Sequence, residues 1–341
     1  MSTLFHSALR VRQFFTEFLP QPPSTELMRM VQDLCNAAGR PLQFKIFDDN
    51  VHGETEFNPE SVLLGLGAAA PSEGLIAHEL AHALLETRGW PRYFGTEAGD
   101  HWLGKVQVIL LNLADHSAGI GLQVHYGIDA RAHEEVLLAQ SEASIQRLLD
   151  RADLIPKVGL SGSQLVEFGT GIALTCLDYY WRTGGLPDSF FAAMDLIDGS
   201  RDLFTSLAEC APDGVPQDGG AARRLMGTLI ERIDDYLQEE AGIRPLALLG
   251  HFVPSSFAND VHRPVEQVAT LLQKALPTPG DFLITVIPHR DGLPFSFRQI
   301  LPPHQGDDAF LNWTGQQPFG ALARQVVPPE YLIWQPTGSP V

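Results

Sequence analysis

The spacing of apolar residues in the first 150 positions changes between a helical and an extended pattern. Apolar positions three and four residues apart predict helices at residues 26–38, 101–126 and 132–149. Between the first two of these helices, the segments 42–48 (LQFKIFD) and 61–67 (SVLLGLG) are short and apolar, which is typical of strands. This mixture of helices and neighbouring strands predicts an α+β fold.

A further helix is predicted directly after the second of these strands. Ser72 suits the N-cap position and Glu73 suits the first turn, and apolar residues follow at helical spacing. Arg88, Gly89 and Pro91 then form a stop signal. The two strands are therefore expected to lead into one well-defined helix.

The remainder of the chain changes pattern once more. Residues 154–276 are largely helical in pattern, and we expect them to form a mainly helical extension of an α+β core at residues 1–153. From Pro277 onward prolines are frequent, and strand-like pieces at 282–287 and 295–300 lie between them, so extended chain is favoured over helix. The sequence therefore predicts a Pro-rich extended tail at residues 277–341, packed on the body of the protein.

The helix predicted after the strands carries the pentapeptide His78-Glu79-Leu80-Ala81-His82. Two imidazoles four residues apart share one face of a helix. Glu79 is one residue further around the helix, where it can reach a metal-bound water without being a ligand. Neutral imidazole is a suitable zinc ligand, and zinc lowers the pKa of a coordinated water to about 7. Glu79 would take the proton of that water as general base and pass it to the leaving amine. The pentapeptide therefore indicates a hydrolytic zinc site.

The pentapeptide, the strands before it and the helix after it resemble the zincin metallopeptidases, nearest to the gluzincins. They are also distantly similar to the compact bacterial ImmA/IrrE-like peptidases. The resemblance covers residues 40–130. It implies a zincin-like core, a zinc ion on His78 and His82, Glu79 as the general base, and a peptide substrate bound as an extended strand.

The third zinc ligand departs from the gluzincin pattern, in which a glutamate from a following helix completes the site. Between the pentapeptide and the helix predicted at 132–149, the only glutamates are Glu86 and Glu97. Glu86 belongs to the same rigid helix as His82, one turn further on, which is typical of a surface residue. Glu97 lies in the loop-like stretch GTEAGDH and is not favoured.

Better candidates for the third ligand lie in the helix predicted at residues 101–126. Asn112, Asp115 and His116 are at positions i, i+3 and i+4 and share a face. Asp115 is the first candidate, because it stands where a gluzincin-like pattern would place its acidic ligand. His116 is the second, and it could instead orient the site from outside the ligand set.

Peptide hydrolysis also needs a donor for the developing oxyanion, since a metal alone rarely stabilises all of it. The available donors are His101, His125, Tyr126, Tyr179 and Tyr180. Spacing selects none of them.

Composition and charge limit the classes of binding partner and the cellular compartments that are expected. The formal net charge of −18 disfavours binding to nucleic acid or to anionic lipid. No signal peptide is predicted, because the first twelve residues have no apolar run. No membrane span is predicted either, because Pro71, Ser72 and Glu73 interrupt the apolar stretch at residues 61–77. The cysteines are odd in number and far apart, unlike those of a disulfide framework: Cys35, Cys176 and Cys210. This pattern favours a reducing compartment such as the cytoplasm. The oligomeric state cannot be inferred.

Two hypotheses about function follow from these patterns. The first is a cytoplasmic zinc metallopeptidase that hydrolyses a specific protein target, and the intact Glu79 favours it. The second is a catalytically silent zincin-fold interaction or regulatory module, which the doubt over the third ligand favours. The tail either wraps the body or lies along the catalytic cleft, with His289 and His304 as polar contacts.

Overall fold

A computed structural model describes most of the chain and shows an α+β protein. The described residues are 2–5, 8–47, 54–57, 61–67, 71–92, 101–153, 161–211, 216–242, 252, 262–275, 281–289, 293, 295–300 and 307–326. Within these ranges there are twelve helices and two small sheets. The chain divides into two compact units, Met1–Trp90 with Asp115–Ala143, and Pro91–Ala114 with Ser144–Val341.

The first unit is built on a four-stranded sheet. Its strands are β1 (Ser2–Phe5), β2 (Leu42–Phe47), β3 (Glu54–Phe57) and β4 (Val62–Gly67). Its helical segments come from α1 (Ala8–Phe18), α2 (Thr25–Ala38), α3 (Glu73–Thr87), α4 (His101–Tyr126) and α5 (Arg131–Leu149), the last two being shared with the second unit. The strand order is β1-β2-β4-β3, with β2 and β4 parallel and the two outer strands antiparallel to their neighbours. Strand β3 therefore forms one edge of this sheet.

Aromatic and aliphatic side chains hold α1 against the sheet. Phe44 of β2 pairs with Leu64 of β4, and both are buried. The rings of Phe14 and Phe15 lie 4.8 Å and 5.0 Å from the ring of Phe44, the first stacked and the second edge-on. Such contacts add to the free energy gained by removing these rings from water.

Helix α3 is buried on nearly all of its faces. The Ser72 side chain caps it by accepting the Leu75 N–H at 3.1 Å, as the sequence predicts. The helix packs against α2 and against β3 and β4, and every residue from position 74 to 81 is buried. A helix in this position has little solvent-exposed surface, and its ionisable residues His78 and Glu79 are held in the interior.

The second unit has a helical part and a part with a small sheet. The helices of the first part are α6 (Gly162–Thr183), α7 (Asp188–Met194), α8 (Ser200–Ala208) and α9 (Gly219–Ala241), with α6 packed against the other three. The second part contains α10 (Val265–Val268), β5 (Ala269–Ala275), β6 (Asp281–Pro288), β7 (Phe295–Ile300), α11 (Asp307–Gln316) and α12 (Phe319–Val326). The three strands form an antiparallel sheet in the order β5-β6-β7. Val265, Phe295 and Phe319 belong to the buried cluster that covers it.

The elements predicted around the pentapeptide are confirmed. The predicted strands correspond to β2 and β4, and the predicted helices correspond to α2, α3, α4 and α5, each within two residues at either end. The two strands predicted in the tail are also present. Three elements of the first unit were not predicted: the short strands β1 and β3 and the helix α1.

Two features of the second half of the chain do not follow from its local sequence pattern. Residues 269–275 form strand β5 inside the zone predicted to be mainly helical, because pairing with β6 overrides local pattern. The tail is not extended throughout, since α11 and α12 lie within it. No proline falls between residues 304 and 317, and Pro318 directly precedes α12, a position where helices tolerate proline.

Other expectations stay predictions. The three zones predicted from the sequence stay predictions. The two compact units are a different division, since each combines segments that are distant along the chain. His304 lies outside the described residues, whereas the His289 ring lies 3.2 Å from the Thr270 hydroxyl. Among the helices that the structure describes, none combines the length and apolar character needed to cross a bilayer.

Candidate metal centre

Helix α3 brings the two histidines of the pentapeptide together on one face. The Nε2 atoms of His78 and His82 are 3.1 Å apart, and their ring centroids are 4.7 Å apart. His78 is buried and His82 is partly exposed. This arrangement follows from the four-residue spacing, because one helical turn separates the two side chains.

His116 of α4 adds a third imidazole to this pair. Its ring centroid lies 5.2 Å from that of His78 and 5.6 Å from that of His82. One potential ligand nitrogen of each ring lies within 4.8 Å of the others. Within the described part of the chain, these three residues form the only such group of three or more possible ligands.

Asp115 lies on the opposite side of the His82 ring from His78. Its Oδ2 atom is 3.3 Å from Nδ1 of His82, whereas Nε2 of His82 faces His78. Burial alone would lower the pKa of His82, but the hydrogen bond and negative charge of Asp115, with Glu79 and Glu86 nearby, raise it. A carboxylate on Nδ1 fixes the ring orientation and leaves Nε2 to act as a ligand.

Glu79 is buried within the same helix and contacts the edge strand of the sheet. Only 6% of its surface is exposed. The Thr55 hydroxyl of β3 lies 3.3 Å from Oε2 of Glu79 and 3.1 Å from its main-chain carbonyl oxygen. A buried carboxylate needs such donors, because desolvation of an unpaired charge is costly.

A fourth histidine, His133, enters the centre from the first turn of α5. Its ring centroid lies 4.9 Å from that of His78, and it is 7% exposed. A close approach at Gly74 permits this, since an added Cβ there would lie 3.1 Å from the His133 Cβ and 3.5 Å from the Asp129 carbonyl oxygen. The sequence analysis missed His133, because no spacing relates it to the pentapeptide.

The residues present suit a small divalent cation. In a tetrahedral site with zinc–nitrogen distances of about 2.0–2.1 Å, neighbouring ligand nitrogens are about 3.3 Å apart. The 3.1 Å separation of the His78 and His82 nitrogens is close to this spacing. The nitrogen of His116 lies within 4.8 Å, so a modest side-chain movement would complete three-imidazole coordination. Borderline-soft ions such as zinc accept this donor set.

The remaining candidates lie elsewhere or outside the described residues. The Tyr126 hydroxyl donates to Asp33 Oδ2 at 2.6 Å, and His125 is exposed. Tyr179 and Tyr180 belong to the second unit. Glu97 and the side chain of His101 lie outside the described residues. Glu86 contributes a negative charge near His82 but does not belong to the three-histidine group.

Comparisons with protein-family models, with curated proteins and with solved structures give no significant match. The geometry of the centre itself is therefore the evidence for function.

Proposed function

We propose that this protein is a zinc-dependent metallopeptidase that hydrolyses a peptide bond of a specific protein target. One observation carries the proposal: three imidazoles from two helices converge, and the buried carboxylate of Glu79 lies near enough to His82 to act on it electrostatically. A binding protein has no chemical need for a buried carboxylate at that place, where its desolvation is costly. The zincin resemblance of the pentapeptide points to the same activity.

We assign the ligand roles to His78, His82 and His116. Asp115 then holds His82 through Nδ1 and orients it, which reverses the order of preference derived from the sequence. This assignment is supported by the contact of the Asp115 carboxylate with Nδ1 of His82, the ring nitrogen that does not face His78. Three protein ligands leave one position of a tetrahedral ion open, which is the condition for catalysis by zinc. When bound, zinc would polarise the substrate carbonyl and activate a water molecule.

Glu79 and His133 complete the proposed reaction. Glu79 takes one proton from the attacking water while the oxygen of that water bonds to the scissile carbonyl carbon. The carbon–nitrogen bond then breaks, and the same proton passes from Glu79 to the leaving amine nitrogen. The products are a carboxylic acid and an amine, so atoms and charge balance. His133 is the candidate donor to the developing oxyanion, because it lies against His78.

The edge strand β3 suggests how a polypeptide substrate would bind. Among the described strands, β3 pairs with β4 alone, so its other side can accept an extended peptide through main-chain hydrogen bonds. Its Thr55 touches Glu79, so a peptide bound there would lie near the base. Neither nucleic acid nor membrane is needed as a partner.

We also propose that the protein acts in the cytoplasm. Its three cysteines are free thiols, and burial raises the pKa of Cys176 to about 12. This thiol therefore stays protonated and unreactive. Such cysteines fit a reducing compartment.

The test compares wild-type protein with Glu79→Gln. Both should bind near-stoichiometric zinc, measured by mass spectrometry, because Glu79 is not a ligand. Wild type should cleave at least one member of a mixed library of internally quenched peptides, and Glu79→Gln should be slower by about 10²–10⁴-fold. Zinc without any cleavage, of peptides or of candidate proteins, would favour the silent interaction module. Absence of zinc from wild type would overturn both the assignment of the zinc ligands and the zinc-dependent reaction.

A further inference from the structure

The edge strand β3 and the helix α3 are joined at the residue proposed to act as the base. Thr55 of β3 pairs with Leu64 of β4 in the antiparallel register, which fixes the position of its main chain. Its hydroxyl oxygen lies within hydrogen-bonding distance of two Glu79 oxygens, at 3.1 Å and 3.3 Å. Neither the pentapeptide nor the resemblance points to Thr55.

A threonine hydroxyl has one proton to share between these two acceptors. One acceptor is the carboxylate oxygen Oε2, and the other is the main-chain carbonyl oxygen of the same residue. When Glu79 is ionised, the hydroxyl can donate to the carboxylate in a charge-assisted hydrogen bond. The main-chain carbonyl oxygen is fixed by the helix, so the hydroxyl lies at a fixed place next to the carboxylate and limits the orientations of the Glu79 side chain.

We infer that Thr55 is a positioning residue that holds the carboxylate of Glu79 in the orientation needed for proton transfer. The inference rests on the proposed function. A glutamate side chain has three rotatable bonds, and its base strength is useful only within hydrogen-bonding reach of the proton it removes. Loss of an orienting partner outside the ligand set commonly reduces activity or affinity by about 10–100-fold.

A purely structural role for Thr55 makes a different prediction. If the hydroxyl only ties β3 to α3 through the carbonyl oxygen of Glu79, its removal will lower stability but leave the chemistry of the carboxylate unchanged. The two roles separate in a measurement that reports the carboxylate directly. Thr55→Val suits this measurement, because valine has nearly the same shape and a high strand propensity. Thr55→Ser keeps the hydroxyl and is the matched control.

The probe is acetohydroxamate binding to the cobalt-loaded protein, followed by the visible absorption of Co²⁺. A hydroxamate gives up its hydroxyl proton on chelation, and Glu79 is the base placed to accept it. Thr55→Val should bind acetohydroxamate about 10-fold more weakly, and Thr55→Ser should bind within about 2-fold of wild type. Cobalt content and melting temperature are measured on each sample. Thr55→Ala should repeat the loss if Thr55→Val does not fold.

A double-mutant cycle with Glu79→Gln completes the test. Because Thr55 acts through the carboxylate, Thr55→Val should cause no further loss in the Glu79→Gln background. Equal binding by Thr55→Val and wild type, or full additivity with Glu79→Gln, would overturn the inference about Thr55 while leaving the peptidase proposal intact. Failure of wild type to take up Co²⁺ or Zn²⁺ would overturn the proposed function as well.

Discussion

The two ring nitrogens of His82 have different neighbours, and this difference indicates which nitrogen would bind a metal ion. Nε2 faces His78, and Nδ1 faces the Asp115 carboxylate. A histidine held in this way presents one fixed lone pair to a metal, because its other nitrogen carries the proton donated to the carboxylate. His116 belongs to the three-histidine group with His78 and His82.

The roles proposed for His116 as a ligand and for Asp115 as the orienting residue can be separated by two single changes in α4. His116→Ala should lose most of its bound zinc, because it removes one of three ligands. Asp115→Ala should still bind zinc, with an affinity about 10–100-fold lower, because the imidazole remains but is no longer oriented. Zinc content and zinc titration with a competing chelator measure both effects. The reverse result, with zinc lost only in Asp115→Ala, would restore Asp115 as the third ligand.

Among the elements, helix α3 shows how a buried carboxylate, that of Glu79, is kept in the interior. Its apolar residues pack on α2 and the sheet, and its ionisable residues are held by Thr55, Asp115 and the neighbouring histidines. Thr55 belongs to β3 and Asp115 to α4, so these contacts come from elements other than α3. The centre therefore depends on the packing of α4 and β3 against α3 and not on α3 alone.

Helix α4 is tied to α2 by a hydrogen bond that responds to pH. Burial, with the hydrogen bond and charge of Asp33, raises the pKa of Tyr126 to about 12 from its ordinary value of 10.0. Between these pH values the unfolded chain has lost this proton while the folded chain keeps it, so stability falls as pH rises. Tyr126→Phe should lower the free energy of unfolding by about 1 kcal/mol at pH 8. The difference should shrink at pH 11, as urea titrations at both pH values would show.

Helices α6 and α8 approach so closely that a glycine is required between them. A Cβ at Gly169 would lie 2.4 Å from Ser200 Oγ and 2.8 Å from Ile197 Cγ2, so Gly169→Ala forces the two helices apart. We expect it to lower the free energy of unfolding by about 1–3 kcal/mol. Gly171→Ala is the matched control, because an added Cβ there meets nothing within 4 Å. It should be neutral or stabilising by up to about 1 kcal/mol, and equal urea midpoints for the two variants would contradict the close packing.

For the whole molecule, the proposed metal centre lies entirely within one of the two compact units. His78, His82, His116 and His133 all belong to the unit formed by Met1–Trp90 and Asp115–Ala143. A ligand that binds only the folded unit stabilises it by mass action, by about 2.7 kcal/mol at one hundred times its dissociation constant. Zinc should therefore stabilise segments that are distant in sequence but share this unit.

Hydrogen exchange followed by mass spectrometry can measure this effect along the chain. Zinc should slow exchange in peptides from α3 and from residues 115–126, because opening of either segment releases the ion. Peptides from α6 and α9, in the other unit, serve as internal references and should change less. His78→Ala should abolish the difference between zinc-loaded and zinc-free protein. Uniform protection of all peptides, or none, would show that zinc is not held by these helices.

The sequence by itself determined the local features of this protein. The N-cap at Ser72, the strands β2 and β4, the extent of α4 and the shared face of His78 and His82 follow from hydrogen bonding and periodicity within short segments. Each depends on neighbours a few residues apart. Patterns in the sequence report such interactions directly.

Only the tertiary structure decided which residues meet around the pentapeptide. The placement of Asp115 on His82, of His133 against His78 and of Thr55 against Glu79 joins residues from four separate elements. These contacts depend on how α4, α5 and β3 pack on α3, and no periodicity along the chain encodes that packing. Strand β5 and helices α11 and α12 escaped prediction for a related reason, since long-range pairing and packing override weak local preference.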